Sequence, residues 1–358
     1  TWLAVGLGVL AILTPQILLY QGIVWRDVLF ANLTIAGFVM LAHAVKAWAA
    51  RPPILPLAGA LVCLALAALA RQNGVILVVA ASGVLAWTAR KGGGWPSALA
   101  WGLGALLAAG LLALGVDQIA RPASTPAKLR LNAASLILEH YDIVGAKAHH
   151  PRLKLEEIGK VDPAAQALIE TQAAKVYTPT RVDTLDADET FRKTLWHVPD
   201  AAMHAQWRQI IVHYPAAYLL QRADVFRWTF LTPKLELCLP AQVGVSGPQA
   251  MVDKLGVQSG VDIQDQALAD YAKRFYRTPV YSHLTWALAA VGVIVLLLRR
   301  RDPADWVFIA LLGGALAFTA SFAVISVACD YRYLYLLDLA AIVGVLYTAL
   351  DPPRWSRT

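Results

Sequence analysis

Charge is what this chain has least of. Asp, Glu, Lys and Arg make up 15% of its 358 residues, where ordinary soluble domains carry about a quarter. A soluble globular or a disordered chain is excluded on that ground. Cysteine is scarce too. Cys63, Cys238 and Cys329 stand in no zinc or redox spacing, which excludes a zinc module or a paired-thiol redox centre. No Gly-x-Ser-x-Gly, P-loop or Gly-x-Gly-x-x-Gly occurs, so neither a nucleophile elbow nor a phosphate-cradling loop carries the chemistry. The chain opens at Thr1 inside an apolar run, without methionine or a basic leader, so further residues are expected upstream.

What remains is apolar and segmented. Hydrophobic residues reach 58% and the mean hydropathy is +0.53. Runs at 2–19, 28–50, 54–70, 75–89, 96–116, 282–299, 305–328 and 334–350 read as membrane helices, given the roughly 20 apolar residues that span a bilayer core. The expected fold is all-α and polytopic, with about eight transmembrane helices and one large helical extracytoplasmic insertion. Membrane helices one to five occupy 1–116, the insertion 117–281, and the last three helices with a short tail 282–358. The net charge of +7 reflects arginines at segment ends, so the partner is a lipid bilayer and not nucleic acid.

Orientation follows from the same arginines. Arg51, Arg90-Lys91, Arg299-Arg300-Arg301, Arg354 and Arg357 fall on one side under strict alternation; the other side's short loops hold only Arg26, Arg71 and Arg332. The first group is cytoplasmic, and Gly92-Gly93-Gly94 is a cytoplasmic turn. Residues 117–281, Trp25-Arg26-Asp27 and Cys329-Asp330-Tyr331-Arg332-Tyr333 then lie outside. There Cys238 and Cys329 can form a disulfide, whereas Cys63 is a small apolar residue of a membrane segment. The insertion reads as helical, with starts at Asp162-Pro163 and Pro199-Asp200, runs over 201–214 and from Pro215 to Trp228, and an amphipathic helix at 262–278. Its aromatic residues with Arg222, Arg227, Arg274 and Arg277 suit lipid headgroups; an ordinary small helical domain fits equally.

Polar residues at the outer interface are the candidates for chemistry. Asp27 can serve as general base or hold a divalent cation, or simply cap a helix. Arg71 ends a segment against the positive-inside trend, which suits a phosphate partner or snorkelling. In Asp330-Tyr331-Arg332-Tyr333-Leu334-Tyr335 the arginine suits a phosphate and the tyrosines a sugar or isoprenoid chain, or an interfacial belt. Asp338 lies deeper, where a carboxylate is costly and faces a cavity or partner. His43 and Lys46 snorkel at the inner end of the second segment. Asp186-Ala187-Asp188 imitates a nucleotide-sugar motif but lacks the preceding parallel sheet. His140, His149 and His150 lack the partners that complete a metal site.

Three clusters on one side resemble the C-type membrane glycosyltransferases that use polyprenyl-phosphate sugars, in the branch of the protein mannosyltransferases and the lipid A aminoarabinose transferases. They are Pro15-Gln16 to Tyr20 with Trp25-Arg26-Asp27-Val28-Leu29-Phe30-Ala31, Leu66 to Gly74 with Arg71, and Asp330 to Tyr335. His213-Tyr214-Pro215-Ala216-Ala217-Tyr218-Leu219 with Arg222 is similar to a segment of bacterial members. The resemblance implies an inverting transfer from a polyprenyl-phosphate-linked sugar to a glycan, lipid or protein acceptor. Asp27 would be catalytic, organising the acceptor or a divalent cation. Arg71 and Arg332 would bind the leaving phosphate, with Trp25, Asp330, Tyr333 and Tyr335 lining the substrate. No cofactor is implied beyond that candidate cation. The family's principal acid lies in an earlier external loop, so the chain is expected to be truncated at its N-terminus. The Ala- and Leu-rich composition suits a bacterial inner membrane with the large loop periplasmic. An O-antigen ligase or polymerase using a diphosphate-linked glycan, or a transporter or scaffold, are the alternatives.

Overall fold

A computed structural model describes residues 2–48, 52–120, 127–300 and 302–351, with the side chains of 127–133 excepted. Arg51, Arg301, Arg354 and Arg357, invoked above for orientation, lie outside the described residues. The helices in chain order are α1 (Trp2–Ile12), α2 (Pro15–Tyr20), α3 (Arg26–Lys46), α4 (Ile54–Ala70), α5 (Val75–Ala120) and α6 (Ala127–His149). They continue with α7 (Glu156–Gly159), α8 (Pro163–Val176), α9 (Glu189–His197), α10 (Asp200–His213) and α11 (Pro215–Leu231). The last are α12 (Gln249–Lys254), α13 (Ile263–Lys273), α14 (His283–Arg300), α15 (Pro303–Ile325) and α16 (Tyr335–Leu350). Among the described residues there is no strand, only isolated bridges between Arg181 and Ala328 and between Val245 and Gly260.

Five helices among the described residues are long and apolar enough to cross a bilayer: α3, α5, α14, α15 and α16. The sequence led us to expect eight, and the difference has local causes. The run at 2–19 breaks at Thr14-Pro15 into α1 and α2, because proline starts a new helix well but cannot continue the old one. Helix α4 is apolar but has only 17 residues. The runs at 75–89 and 96–116 join into α5, which is non-helical only at Gly94, with φ 68°, two residues before Pro96. That left-handed conformation is open to glycine at little cost. It reverses the chain: a Cβ on Gly102 would lie 3.0 Å from Ala86 Cβ, whereas sixteen residues of straight helix span about 24 Å. The triple glycine is therefore a hairpin bend between two apolar limbs.

The chain divides into two compact units. The first comprises Thr1–Ile119, Leu239–Ala320 and Arg332–Thr358; the second comprises Ala120–Cys238 and Ser321–Tyr331. The stretch 117–281 is thus divided, with 239–281 in the first unit. Within the first unit α3 packs on α4, and α16 on α3 and α14. Gly37 lets α4 approach closely, since a Cβ there would meet Leu64 Cγ at 2.9 Å.

The second unit has a core of its own, including Tyr141, Ile143, Leu153, Ile169, Phe191, Met203, Ile210 and Val225. Asp162 caps α8 through Ala165 N at 2.9 Å, with Pro163 in its first turn. Asp188 caps α9 through Phe191 N at 2.9 Å, so the Asp186-Ala187-Asp188 pattern is accounted for by capping. Cys238 and Cys329 are joined in a disulfide across 91 residues. Beside it Cys329 N donates to Thr180 O at 3.0 Å and Val182 N to Val327 O at 2.9 Å. Arg222 is buried and ion-paired with Asp142, which corrects its expected place among lipid headgroups. The reason is chemical: a buried carboxylate needs a cation and further donors. Asp142 also accepts from Trp207 Nε1 at 2.9 Å, and Arg222 Nη1 donates to Ser326 O at 2.7 Å. Burial raises the Asp142 carboxyl above its usual range against the opposing pull of Arg222.

Candidate functional site

Helix α3 begins where Trp25 sits in extended backbone, so Trp25 is the N-cap and makes no side-chain cap bond. Asp27, two residues on, points its carboxylate away from a capping role. Helix α4 ends as Arg71 turns extended, at φ −140° and ψ 123°, its N–H closing on Ala67 O at 3.1 Å. A short turn at 72–74 then leads into α5. These two helix ends and the turn preceding α16 supply the cluster.

Asp27 is its centre and is almost closed off, with 8% of its side chain exposed. Its Oδ1 accepts from Arg71 Nε at 2.5 Å, and Arg71 Nη2 also reaches it. Its Oδ2 faces Arg332 Nε at 3.4 Å. Both guanidiniums are partly open, at 20% for Arg71 and 25% for Arg332. Each lies over aromatic faces. Arg332 covers Trp25 at 4.7 Å and Tyr333 at 5.6 Å; Arg71 covers Tyr333 at 5.0 Å. These contacts hold the cations without neutralising them. Two cations over one buried anion leave a net positive charge at the rim, suited to an anionic group with several acceptor oxygens.

Behind Trp25 stands a column of tyrosines. Tyr20 meets Trp25 edge-on at 5.3 Å and Tyr335 at 4.8 Å, and its hydroxyl donates to Pro240 O at 2.7 Å. Gln21 Nε2 donates to the Tyr335 hydroxyl at 3.5 Å, and Gln21 Oε1 accepts from Asn32 Nδ2 at 3.1 Å. Tyr335 is buried, so it supports the platform from beneath and does not line an opening. Asp330 belongs to the second unit, where it faces Arg181 at 3.9 Å. The structure therefore brings together Trp25, Asp27, Arg71, Arg332 and Tyr333, sets Tyr335 one layer behind, and gives Asp330 a partner in Arg181 of its own unit.

Sequence reading missed one partner. Asp338, flagged for its depth, meets His283 Nδ1 at 2.8 Å, and both side chains are wholly buried. A histidine at the first position of a membrane-length helix was the available signal. Of the three histidines considered for metal, His140 packs edge-on against Trp196 at 4.6 Å, His149 faces Asp224 at 3.7 Å and His150 lies near Tyr214. They do not converge, and among the described residues no three His, Cys, Asp or Glu form a metal site. A divalent cation at Asp27 fits poorly, because both carboxylate oxygens already face guanidiniums.

Fold and site define the class: an all-α protein with membrane-length helices and a buried carboxylate held by two arginines where helix ends meet. The chain matches no protein-family model, no curated protein and no solved structure.

Proposed function

We propose that this protein is a membrane glycosyltransferase that moves a sugar from a polyprenyl-phosphate donor to an acceptor hydroxyl on the extracytoplasmic face, with inversion. The reading places eight crossings in the membrane: α1 with α2, α3, α4, the two limbs of α5, α14, α15 and α16. The observation that carries it is Asp27, a buried carboxylate held between two partly open guanidiniums on aromatic faces.

The chemistry follows from that arrangement. At rest Arg71 and Arg332 engage both oxygens of Asp27. A donor phosphate competes for the same guanidiniums and draws them toward the rim, which frees the carboxylate. The acceptor oxygen then attacks the anomeric carbon while the bond from that carbon to the phosphate oxygen breaks. The hydroxyl proton passes to Asp27, and the electron pair leaves with polyprenyl phosphate. Arg71 and Arg332 oppose the charge that grows on the departing oxygen, the kind of contribution worth several kcal/mol in water-poor sites. Trp25 and Tyr333 keep the guanidiniums in register, and the Tyr20–Tyr335 column keeps Trp25 in place.

The test supplies labelled polyprenyl-monophosphate sugars to the protein in membranes and follows polyprenyl phosphate release for wild type, Asp27→Asn and Arg332→Ala. Release that collapses in both variants at equal expression supports the reading. No release with any monophosphate donor, alongside turnover of a diphosphate-linked glycan, assigns the ligase chemistry instead.

A further inference from the structure

Helix α11 is turned inside out. Its inward face holds Ala217, Gln221, Arg222, Val225 and Thr229, all buried, and three of the five are polar. Its outward face carries Ala216, Leu219, Leu220, Ala223 and Leu231, with Arg227 among them and the half-buried Phe226 and Phe230 along its flank. Leu219 and Leu220 are 62% and 60% exposed. Phe226 and Phe230 stack in parallel at 5.6 Å, one turn apart. Val212, near the end of α10, is exposed as well. Helix α9 of the same unit shows the usual arrangement, with Phe191 and Leu195 inward and Arg192 and Lys193 outward.

A water-facing helix puts its polar residues outside, because exposed apolar surface is unfavourable. A helix facing hydrocarbon does the reverse. We infer that the outward face of α11 lies in the lipid bilayer surface, its leucines and phenylalanines among the acyl chains. Arg227, exposed and 3.9 Å from the Asp224 carboxylate, is the cation on this face, and Lys234 stands exposed just beyond its end, both suited to anionic headgroups. The described residues of the same chain include five membrane-length helices, so this unit is tethered to a bilayer by its own chain. A second copy is a poorer occupant. One helix stripe offers on the order of 500 Å² of apolar surface, short of the roughly 800 Å² per partner of a standard interface. The inference is independent of the transfer chemistry.

The test places a nitroxide on cysteines introduced at Leu219, Leu220 or Phe226, with Lys193 as a water-facing reference and Cys63→Ala to remove the free thiol. The full chain is reconstituted in phosphatidylethanolamine and phosphatidylglycerol vesicles with its disulfide intact. Power saturation with oxygen and a nickel chelate reads depth. The expected oxygen-to-nickel ratio is on the order of tenfold higher at Leu219, Leu220 and Phe226 than at Lys193. Equal ratios at all four positions would overturn the inference. So would dipolar broadening at Leu219 or Phe226 that grows with protein density in the vesicle, which marks a second copy as the occupant.

Discussion

Replacing Asp27 by Asn should tighten phosphate binding while it abolishes transfer. Asparagine keeps the shape of the side chain and removes its charge. The Arg332 pair, at 3.4 Å, is worth about 5 kcal/mol in Coulomb attraction at an effective dielectric of about 20. Desolvation of the nearly closed carboxylate takes back most of that, which leaves on the order of 1–2 kcal/mol per guanidinium. A phosphate entering the wild-type site must overcome that attraction, and in Asp27→Asn it need not. Since about 1.4 kcal/mol is a factor of ten, a prenyl phosphate should bind the variant roughly tenfold more tightly for each guanidinium it takes over. Loss of the base should at the same time lower transfer by about 10² to 10⁴. Titration calorimetry in nanodiscs gives the first quantity and polyprenyl phosphate release the second. A salt-dependent gain in affinity is expected, because the guanidiniums are partly open. Weaker or unchanged phosphate binding in Asp27→Asn would refute the idea that phosphate and carboxylate compete for Arg71 and Arg332.

The second unit supplies two further predictions. Cys238→Ala opens a loop of 91 residues; this should cost about 2–4 kcal/mol, read as a lower urea midpoint for that unit. His140 is buried against Trp196, and burial pushes it down from about 6.5 to about 4, with Asp200 pulling up and His204 pushing down. Its unfolded form therefore takes a proton between those values and its folded form does not, so stability falls as pH drops from about 6.5 to about 4, by up to about 3 kcal/mol. His140→Gln should flatten urea midpoints across that window; an unchanged slope would show that another group carries it.

The sequence made the Asp27 cluster legible because its members are each anomalous where they stand. Arg71 and Arg332 oppose the positive-inside trend, and Asp27 follows a tryptophan at a helix start. Their shared side could be read from alternation alone. That Asp27 would sit between both arginines could not, because it depends on how α3, α4 and the turn before α16 converge. Nor could the pairing of Asp330 with Arg181 be read, because the two lie about 150 residues apart in the chain. Arg222 was read as a surface cation because a helix-periodic aromatic segment says nothing of a carboxylate on another helix. The hairpin in α5 was legible from its glycines, whereas the break at Thr14-Pro15 was obscured by uninterrupted hydrophobicity.

Burial of a charge does not by itself mark a working site, and the molecule provides its own controls. Asp142 with Arg222 is closed on both partners, at 0% and 5% exposure, and His283 with Asp338 is wholly buried. Asp305, paired with Arg300, also accepts from the Tyr347 hydroxyl at 2.9 Å. Only partners that are partly open can trade a carboxylate for an incoming anion, and among these clusters the Asp27 arginines are the most open. The contrast is testable with paired substitutions. Arg222→Met alone strands a buried carboxylate and should cost about 3–5 kcal/mol. Adding Asp142→Leu should recover part of that loss, leaving about 1–3 kcal/mol for the orphaned Trp207 N–H, with transfer retained in the folded fraction. Asp27→Leu with Arg332→Met should show the opposite split: a small change in urea midpoint and no transfer. If the first pair abolishes turnover in fully folded protein, or the second leaves it intact, exposure of the cation is not what separates structural pairs from functional ones.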